Sequence, residues 1–411
     1  MLMLMMLLQV RQRGDSEHFR NAGKRGKRRE CMATTLFSGE GRSELRHTLS
    51  SWLIETWYST SRSTRLGPFR LPLLLGSRFY ARGLCRDQRQ ARLRARRLPA
   101  FVVSVGNLVA GGTGKTPFTL WLAEYFRAQG RHPAILSRGY GRRGSEIALV
   151  PSKGEASAQV PDFGDEPILM ARKAPAIPVW VGRTRWKSGQ AAIQYSGADV
   201  LILDDGLQHL SLERDLDLVL LDAHNPFGNG ALLPLGPLRE PVEHLDRAHA
   251  ILLTRADDPE KVHATLDMLR KRFPGKPLFS CRHRPTGLRI GLSGSRAPLE
   301  ALRGQSAIAF AGIARPEAFF RSLRAETSIR LDACVAFPDH HSYKAADVAR
   351  LLRLVRKNGA RFLITTEKDI VRLPADIQEA VLSAELELDF GSDLDSLYSF
   401  LKQRVGGAAH C

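Results

Sequence analysis

From residue 101 to residue 255, short apolar runs without alternation are separated by longer stretches in which polar and apolar positions mix. The runs are "FVVSVGN" from 101, "PAILSRG" from 133, "IPVWVG" from 177, "ADVLILDDG" from 198, "LDLVLLD" from 216 and "HAILLTR" from 249. A strand with one face in water alternates in polarity, whereas one covered on both faces is apolar throughout. These segments are therefore expected to form a parallel sheet covered by helices, one of them over 115–129. Beyond a less regular stretch at 282–300 comes a second series: "AIAFAGIA" from 307, a helix from Pro316, a strand near 329–337, a helix over 344–357, and "ARFLITTEKD" from 360. The pattern predicts an α/β chain with a larger lobe at 100–281 and a smaller α/β lobe at 282–411, without a repeat of fixed period.

Ahead of these lobes, "LGPFRLPLLLGSRFYARGLCRDQRQARLRARRLP" (66–99) begins apolar and ends strongly basic. A helix after Pro72 places Leu74, Leu75 and Phe79 against a hydrophobic surface, with Arg78 and Arg82 on much the same side as Leu74 and Leu75. Two readings are open. Either the segment is a membrane-associated helix, its apolar start in lipid and its arginines among headgroups, or it packs on its own protein with a solvated basic tail. No stretch reaches the ~18 apolar residues that cross a bilayer, and the apolar opening "MLMLMMLLQVRQR" lacks the basic lead and cleavage site of a secretory signal. The extension 1–65 is expected to be disordered in large part, and Met32 is an alternative start.

Composition adds the location of the charge. Of the net +19 over 411 residues, +14 lies in residues 1–100, which hold 21 Lys/Arg and 7 Asp/Glu. Such a patch suits anionic lipid, nucleic acid, or only solvent. It lacks the interspersed aromatics of a base-stacking surface, so no nucleic-acid partner is expected. Five scattered cysteines without a C-x-x-C pair argue against a disulfide framework or a structural zinc site.

The candidate chemistry begins where the first apolar run ends. "AGGTGKT" lies between a strand and a helix, the setting of a P-loop, so the larger lobe is read as a P-loop NTPase-type domain. Gly111, Gly112, Thr113 and Gly114 let backbone N–H groups turn toward phosphate oxygens, Lys115 reaches the β- and γ-phosphates, and Thr116 serves as a Mg2+ ligand. Val109 stands where the strict pattern has glycine, which makes the loop a variant. "VLILDD" is an apolar strand ending in two carboxylates, Asp204 and Asp205, the form of a Mg2+-holding Walker B element. Asp205 and His209 also have the i,i+4 spacing of a metal pair, but no clustered ligands accompany them.

Taken in order, "SVGNLVAGGTGKTP", "SRGYGRR", "GDEP", "VGR", "DDGLQH", "LLPLGPLREP", "FPDHHSY" and "TTEKD" resemble the tetraacyldisaccharide 4′-kinase family of Gram-negative bacteria. The likeness runs from about residue 66 to about 390, and residues 1–50 show no evident counterpart. The resemblance implies a two-lobed P-loop kinase that uses ATP and Mg2+ to phosphorylate the 4′-hydroxyl of a tetraacyldisaccharide 1-phosphate. It also implies peripheral attachment to an anionic surface, the cytoplasmic face of the inner membrane, through the 66–99 helix. By the same resemblance Asp165 of "GDEP" pairs with His340 of "DHH" to activate the sugar hydroxyl. Arg138, Tyr140, Arg183, Gln208, His209 and Arg239 would line the substrate cleft, the arginines as phosphate clamps. Glu367, Lys368 and Asp369 match a motif as well, but are equally suited to joining the lobes by salt bridges. The competing class is a dimerising P-loop ATPase switch acting at a membrane or on DNA. Its loop carries an early lysine where this chain has Ala110.

Overall fold

The computed structural model describes residues 57–58, 69–292 and 294–408. The expected disorder of 1–65 falls outside the described residues except at Trp57 and Tyr58, which are helical and half-buried.

Eight strands build the first sheet: β1 (Phe101–Gly106), β2 (Pro133–Ser137), β3 (Ala148–Leu149), β4 (Val179–Val181), β5 (Val200–Asp204), β6 (Leu216–Asp222), β7 (Ala250–Thr254) and β8 (Leu278–Ser280). Their order is β3-β4-β2-β5-β1-β6-β7-β8, parallel throughout except for the β3–β4 edge pair. Every residue of β1, β2, β5, β6 and β7 is buried, which is why these strands read as unbroken apolar runs. Strand order reverses around β1, so the loops at the carboxyl ends of β1, β5 and β6 open into a crevice of the kind that takes ligands. At the end of β1 the backbone of Leu207 comes close: a Cβ on Gly106 would lie 2.5 Å from Leu207 Cβ and 2.7 Å from its nitrogen. Gly106→Ala is accordingly expected to lower unfolding free energy by about 1–3 kcal/mol, measurable in urea.

Among the described residues from Phe69 onward the α-helices are α1 (Arg70–Leu93), α2 (Lys115–Ala128), α3 (Ala156–Phe163), α4 (Asp165–Lys173), α5 (Arg185–Ser196), α6 (Pro259–Arg272), α7 (Pro316–Glu326), α8 (Ala345–Asn358), α9 (Glu367–Ile370), α10 (Ala375–Gln378) and α11 (Leu394–Ala408). The second sheet contains β9 (Arg282–Ile290), β10 (Arg296–Ala297), β11 (Ser306–Ala311), β12 (Arg330–Ala336), β13 (Phe362–Thr366) and β14 (Val381–Asp389), in the order β10-β9-β14-β13-β11-β12. Strands β11 to β14 pair in parallel, and the long β9 closes the sheet antiparallel to β14.

The change of sheet falls at Cys281, between β8 and β9, yet the two halves share one core. Trp121 of α2 packs on Phe390 at 4.6 Å between ring centroids, and Tyr125 stacks on Tyr398 of α11 at 5.2 Å. One buried cluster continues from Phe118 and Phe126 to Phe310, Leu363 and Leu401. The helix that follows the P-loop is therefore anchored in both lobes.

Helix α1 turns part of its apolar start away from the protein. Leu75 and Phe79 are 46% and 69% exposed, and with Leu71 at 63% they form an i, i+4, i+8 stripe facing outward. The opposite face holds the protein through Ser77 Oγ donating to Leu232 O at 3.1 Å, Tyr80 Oη donating to Arg239 O at 2.8 Å and Gln88 Nε2 donating to Glu240 Oε2 at 2.8 Å. Gly76 lies against Pro234, where a Cβ would approach Cγ to 3.2 Å. No described helix is long and apolar enough to cross a membrane.

Candidate active site

The loop after β1 is shaped from outside by donors to its carbonyl oxygens. Asn107 Nδ2 donates to Val109 O at 2.8 Å and reaches Gly111 O at 3.4 Å. Tyr58 Oη donates to Ala110 O at 3.2 Å, Arg255 Nη2 to Gly112 O at 2.6 Å and Thr254 Oγ1 to Thr113 O at 2.9 Å. Five successive carbonyls are thus engaged, and the loop presents amide N–H groups to an anion at the start of α2. Gly114 has a φ of +78°, and a Cβ there would sit 2.5 Å from His283 Cε1, so both backbone conformation and space demand glycine. His283 is kept neutral, its pKa lowered to about 4 by burial and by the nearby Arg255 charge.

Lys115 and Thr116 open α2. The Lys115 ammonium donates to Asn107 Oδ1 at 3.0 Å and lies 3.4 Å from Asp205 Oδ1. Asp205 also accepts from Arg239 Nη1 at 2.8 Å. Burial would raise the Asp205 pKa, but the Lys115 and Arg239 charges hold it well below the usual carboxylate range. Its neighbour behaves oppositely. Asp204 is buried, and desolvation together with the charges of Glu166 and Asp205 pushes its pKa up to about 7. Asp204 Oδ2 accepts from Ser137 Oγ at 3.3 Å, while Oδ1 is buried without a hydrogen-bond partner. That orphaned oxygen, with the hydroxyl of buried Thr116, suits a hard divalent cation; Mg2+ takes few protein ligands and completes its shell with phosphate oxygens and water. No group of three or more His, Cys, Asp or Glu among the described residues could enclose a metal alone.

From the other side, His340 meets Asp165 at the start of α4, with Nδ1 2.9 Å from Asp165 Oδ2. This leaves Nε2 available to accept a proton, on a side chain 42% exposed. The hydrogen bond to Asp165 raises the His340 pKa above its ordinary 6.5. Asp165 is held well below the carboxylate range: burial opposes ionisation, but the His340 bond and the Arg372 guanidinium outweigh it. His340 has a φ of +58° and Asp205 one of +52°, a left-handed conformation that non-glycine residues adopt at a cost of about 1–3 kcal/mol, typically where function requires it.

The remaining expected site residues divide. Tyr140 lies beside His340, ring centroids 6.0 Å apart, and is otherwise exposed. Arg138 and Arg183 are exposed at the carboxyl ends of β2 and β4, on the crevice edge of the sheet. Gln208 Nε2 donates to Asn107 O at 3.0 Å and so braces the P-loop strand. His209 turns to Ser211 Oγ at 3.1 Å, its pKa lowered to about 4 by burial and by Arg185. Arg239 is bound to Asp205, with its own carbonyl tied to α1 through Tyr80. The "TTEKD" segment joins the lobes through Glu367, which pairs with Lys173 at 2.6 Å, and Lys368, which pairs with Glu166, whereas Asp369 is buried within the second lobe beneath the Gly312 amide at 3.0 Å. Sequence reasoning missed Asn107, Arg185, Arg255 and Arg372. Asn107 was marked only by its place between strand and loop, and the three arginines by nothing local.

A P-loop beside a strand end with two carboxylates defines a P-loop phosphotransferase fold and site, and an imidazole backed by a carboxylate is chemically able to take a proton from a hydroxyl. The chain belongs to the tetraacyldisaccharide-1-P 4′-kinase family, whose model matches residues 70–406. It is 51% identical over 376 residues to the tetraacyldisaccharide 4′-kinase of Syntrophobacter fumaroxidans, covering 92% of this chain and 98% of that protein. It is 42% identical over 335 residues to that of Anaeromyxobacter dehalogenans, covering 80% and 86%. The Aquifex aeolicus LpxK structure in complex with ATP superposes with a TM-score of 0.65 at 28% identity, covering 82% of this chain and 99% of that one. Residues 1–50 are about an eighth of the chain and the Syntrophobacter match leaves out 8%, so part of that stretch does have a counterpart.

Proposed function

We propose that the chain transfers the γ-phosphoryl group of ATP to the 4′-hydroxyl of a tetraacyldisaccharide 1-phosphate, with His340 as general base and Asp165 as the group that orients it. The observation that carries the assignment of roles is the 2.9 Å Asp165–His340 contact, which joins the two lobes beside a P-loop. A sugar hydroxyl is a poor nucleophile. His340 Nε2 accepts its proton as the oxygen attacks the γ-phosphorus, and the bond to the β,γ-bridging oxygen breaks to release ADP. Asp165, ionised and hydrogen-bonded to Nδ1–H, fixes the tautomer and stabilises the imidazolium that forms. Lys115 and the amides of 111–114 hold the β- and γ-phosphates, and Arg239, Arg138 and Arg183 supply positive charge for the phosphates of donor and acceptor. Asp204, Asp205 and Thr116 would hold Mg2+, which when bound with ATP neutralises phosphate oxygens.

Incubating the protein with γ-labelled ATP and tetraacyldisaccharide 1-phosphate should yield a labelled bis-phosphorylated lipid carrying the new phosphate at the 4′ position. Label released only as inorganic phosphate, or transferred to another position, would refute the assignment.

The acceptor is a lipid, and the outward stripe of Leu71, Leu75 and Phe79 among the arginines of α1 is suited to an anionic membrane surface at the cytoplasmic side of the inner membrane. Each such side chain contributes about 1.5–3 kcal/mol when fully transferred from water. Changing all three to serine should therefore lower partitioning onto anionic vesicles at least about tenfold, while leaving turnover of detergent-dispersed lipid intact. Unchanged sedimentation with vesicles would remove α1 from this role.

A further inference from the structure

Arg372 lies just beyond α9, in a stretch matched to no expected site residue, and its side chain is only 5% exposed. A buried guanidinium costs free energy unless its donors are taken, and here they converge on the proposed base. Nε donates to Asp165 Oδ2 at 2.7 Å, and Nη2 donates to the same oxygen. Nη1 donates to Gly312 O at 2.9 Å and reaches Asp369 Oδ1 at 3.3 Å, while Nη2 stands 3.3 Å from His340 Nδ1. Asp165 Oδ1 is occupied by the Glu166 amide at 2.9 Å. We infer that Arg372 is a positioning residue: its fork, reaching from the second lobe, and the Glu166 amide lock the Asp165 carboxylate, so that the Oδ2 which Arg372 and His340 share holds the imidazole by Nδ1 and leaves Nε2 to accept the proton.

The arrangement has an electrostatic consequence as well. Four polar groups face His340: Asp165 from α4, Arg372 from beyond α9, Asp339 from its own loop and Tyr140 from the loop after β2. The two carboxylates favour the imidazolium, and Arg372 opposes it. Without Arg372 the imidazole would keep a proton to higher pH, and less of it would be free to act as base near neutrality.

This inference rests on the assignment of His340 as base, and the test separates the two. Arg372→Met is expected to lower kcat about 10²-fold, since misplacing a catalytic group by about 1 Å has that cost, with the KM values for ATP and lipid changed less than about threefold. The acidic limb of its kcat–pH profile should move to higher pH. Arg372→Lys, which keeps the charge but cannot reach Asp165 and Gly312 together, should fall between the two at about a tenfold loss, with the limb nearer that of the unaltered protein. In a His340→Gln background Arg372→Met should add less than about twofold, because its effect passes through His340. A normal kcat in Arg372→Met, a loss with an unmoved acidic limb, or a full additional loss in the His340→Gln background overturns the inference. Should Arg372→Met not fold, Arg372→Lys decides, and kcat equal to that of the unaltered protein then counts against it. A His340→Gln variant of normal kcat would instead remove the base assignment itself.

Discussion

Lys115→Met is expected to lower kcat/KM for phosphoryl transfer by about 10²–10³-fold while leaving thermal unfolding nearly unchanged. Phosphoryl transfer depends on positioning and on neutralising charge spread over the transferred group, and removing one preorganised cation or donor from such a site typically costs 10²–10³-fold. Lys115 stands on the first turn of α2, aimed by Asn107 Oδ1 at 3.0 Å. Its loss does not strand Asp205, which keeps Arg239 at 2.8 Å, so the fold has little reason to respond. Single-turnover transfer measured beside a thermal melt checks both halves of the statement. A variant retaining more than about a tenth of kcat/KM would show that the phosphate is held elsewhere.

His340→Gln is expected to lower kcat by about 10²–10⁴-fold, the usual contribution of a positioned base, with KM little altered. The pH dependence has a definite sign. Only the neutral imidazole can accept the hydroxyl proton, and Asp165 raises the His340 pKa above 6.5. The kcat of the unaltered protein should therefore fall as pH drops through a value above 6.5, and that limb should be absent from the residual activity of His340→Gln. Asp165→Asn should shift the limb to lower pH, since the imidazolium loses its counter-charge. Asp165→Asn should also unfold more easily, by about 3–5 kcal/mol, because it leaves Arg372 buried without its principal carboxylate. An acidic limb that stays in place in both variants would mean that another group takes the proton.

How much of this was legible in the sequence follows from how far apart the cooperating residues lie. The P-loop is contiguous, so strand, glycines, lysine and helix could be read from 101–129, and Asp204–Asp205 follow the same logic on a single buried strand. Asp165 and His340 are 175 positions apart. Taken singly each was an ordinary helix-start acid and an ordinary histidine, and only the ordered set of family motifs named them together. Helix α1 shows the opposite limit. Its existence was legible, but the direction of Leu75 and Phe79 depends on which face Ser77, Tyr80 and Gln88 anchor, and their partners are more than 150 residues away.

The sequence by itself determined the alternating buried strands, the anion-binding turn and the acidic strand end, because each is set by interactions within a few residues: side-chain period, glycine conformational freedom and the dipole of a helix start. Tertiary structure alone decided that Asp205 is ion-paired while the adjacent Asp204 is driven toward neutrality, and that Arg372 closes on Asp165. Those outcomes depend on desolvation and on charges brought close from distant segments, and such fields exist only once the two lobes have packed on their common core.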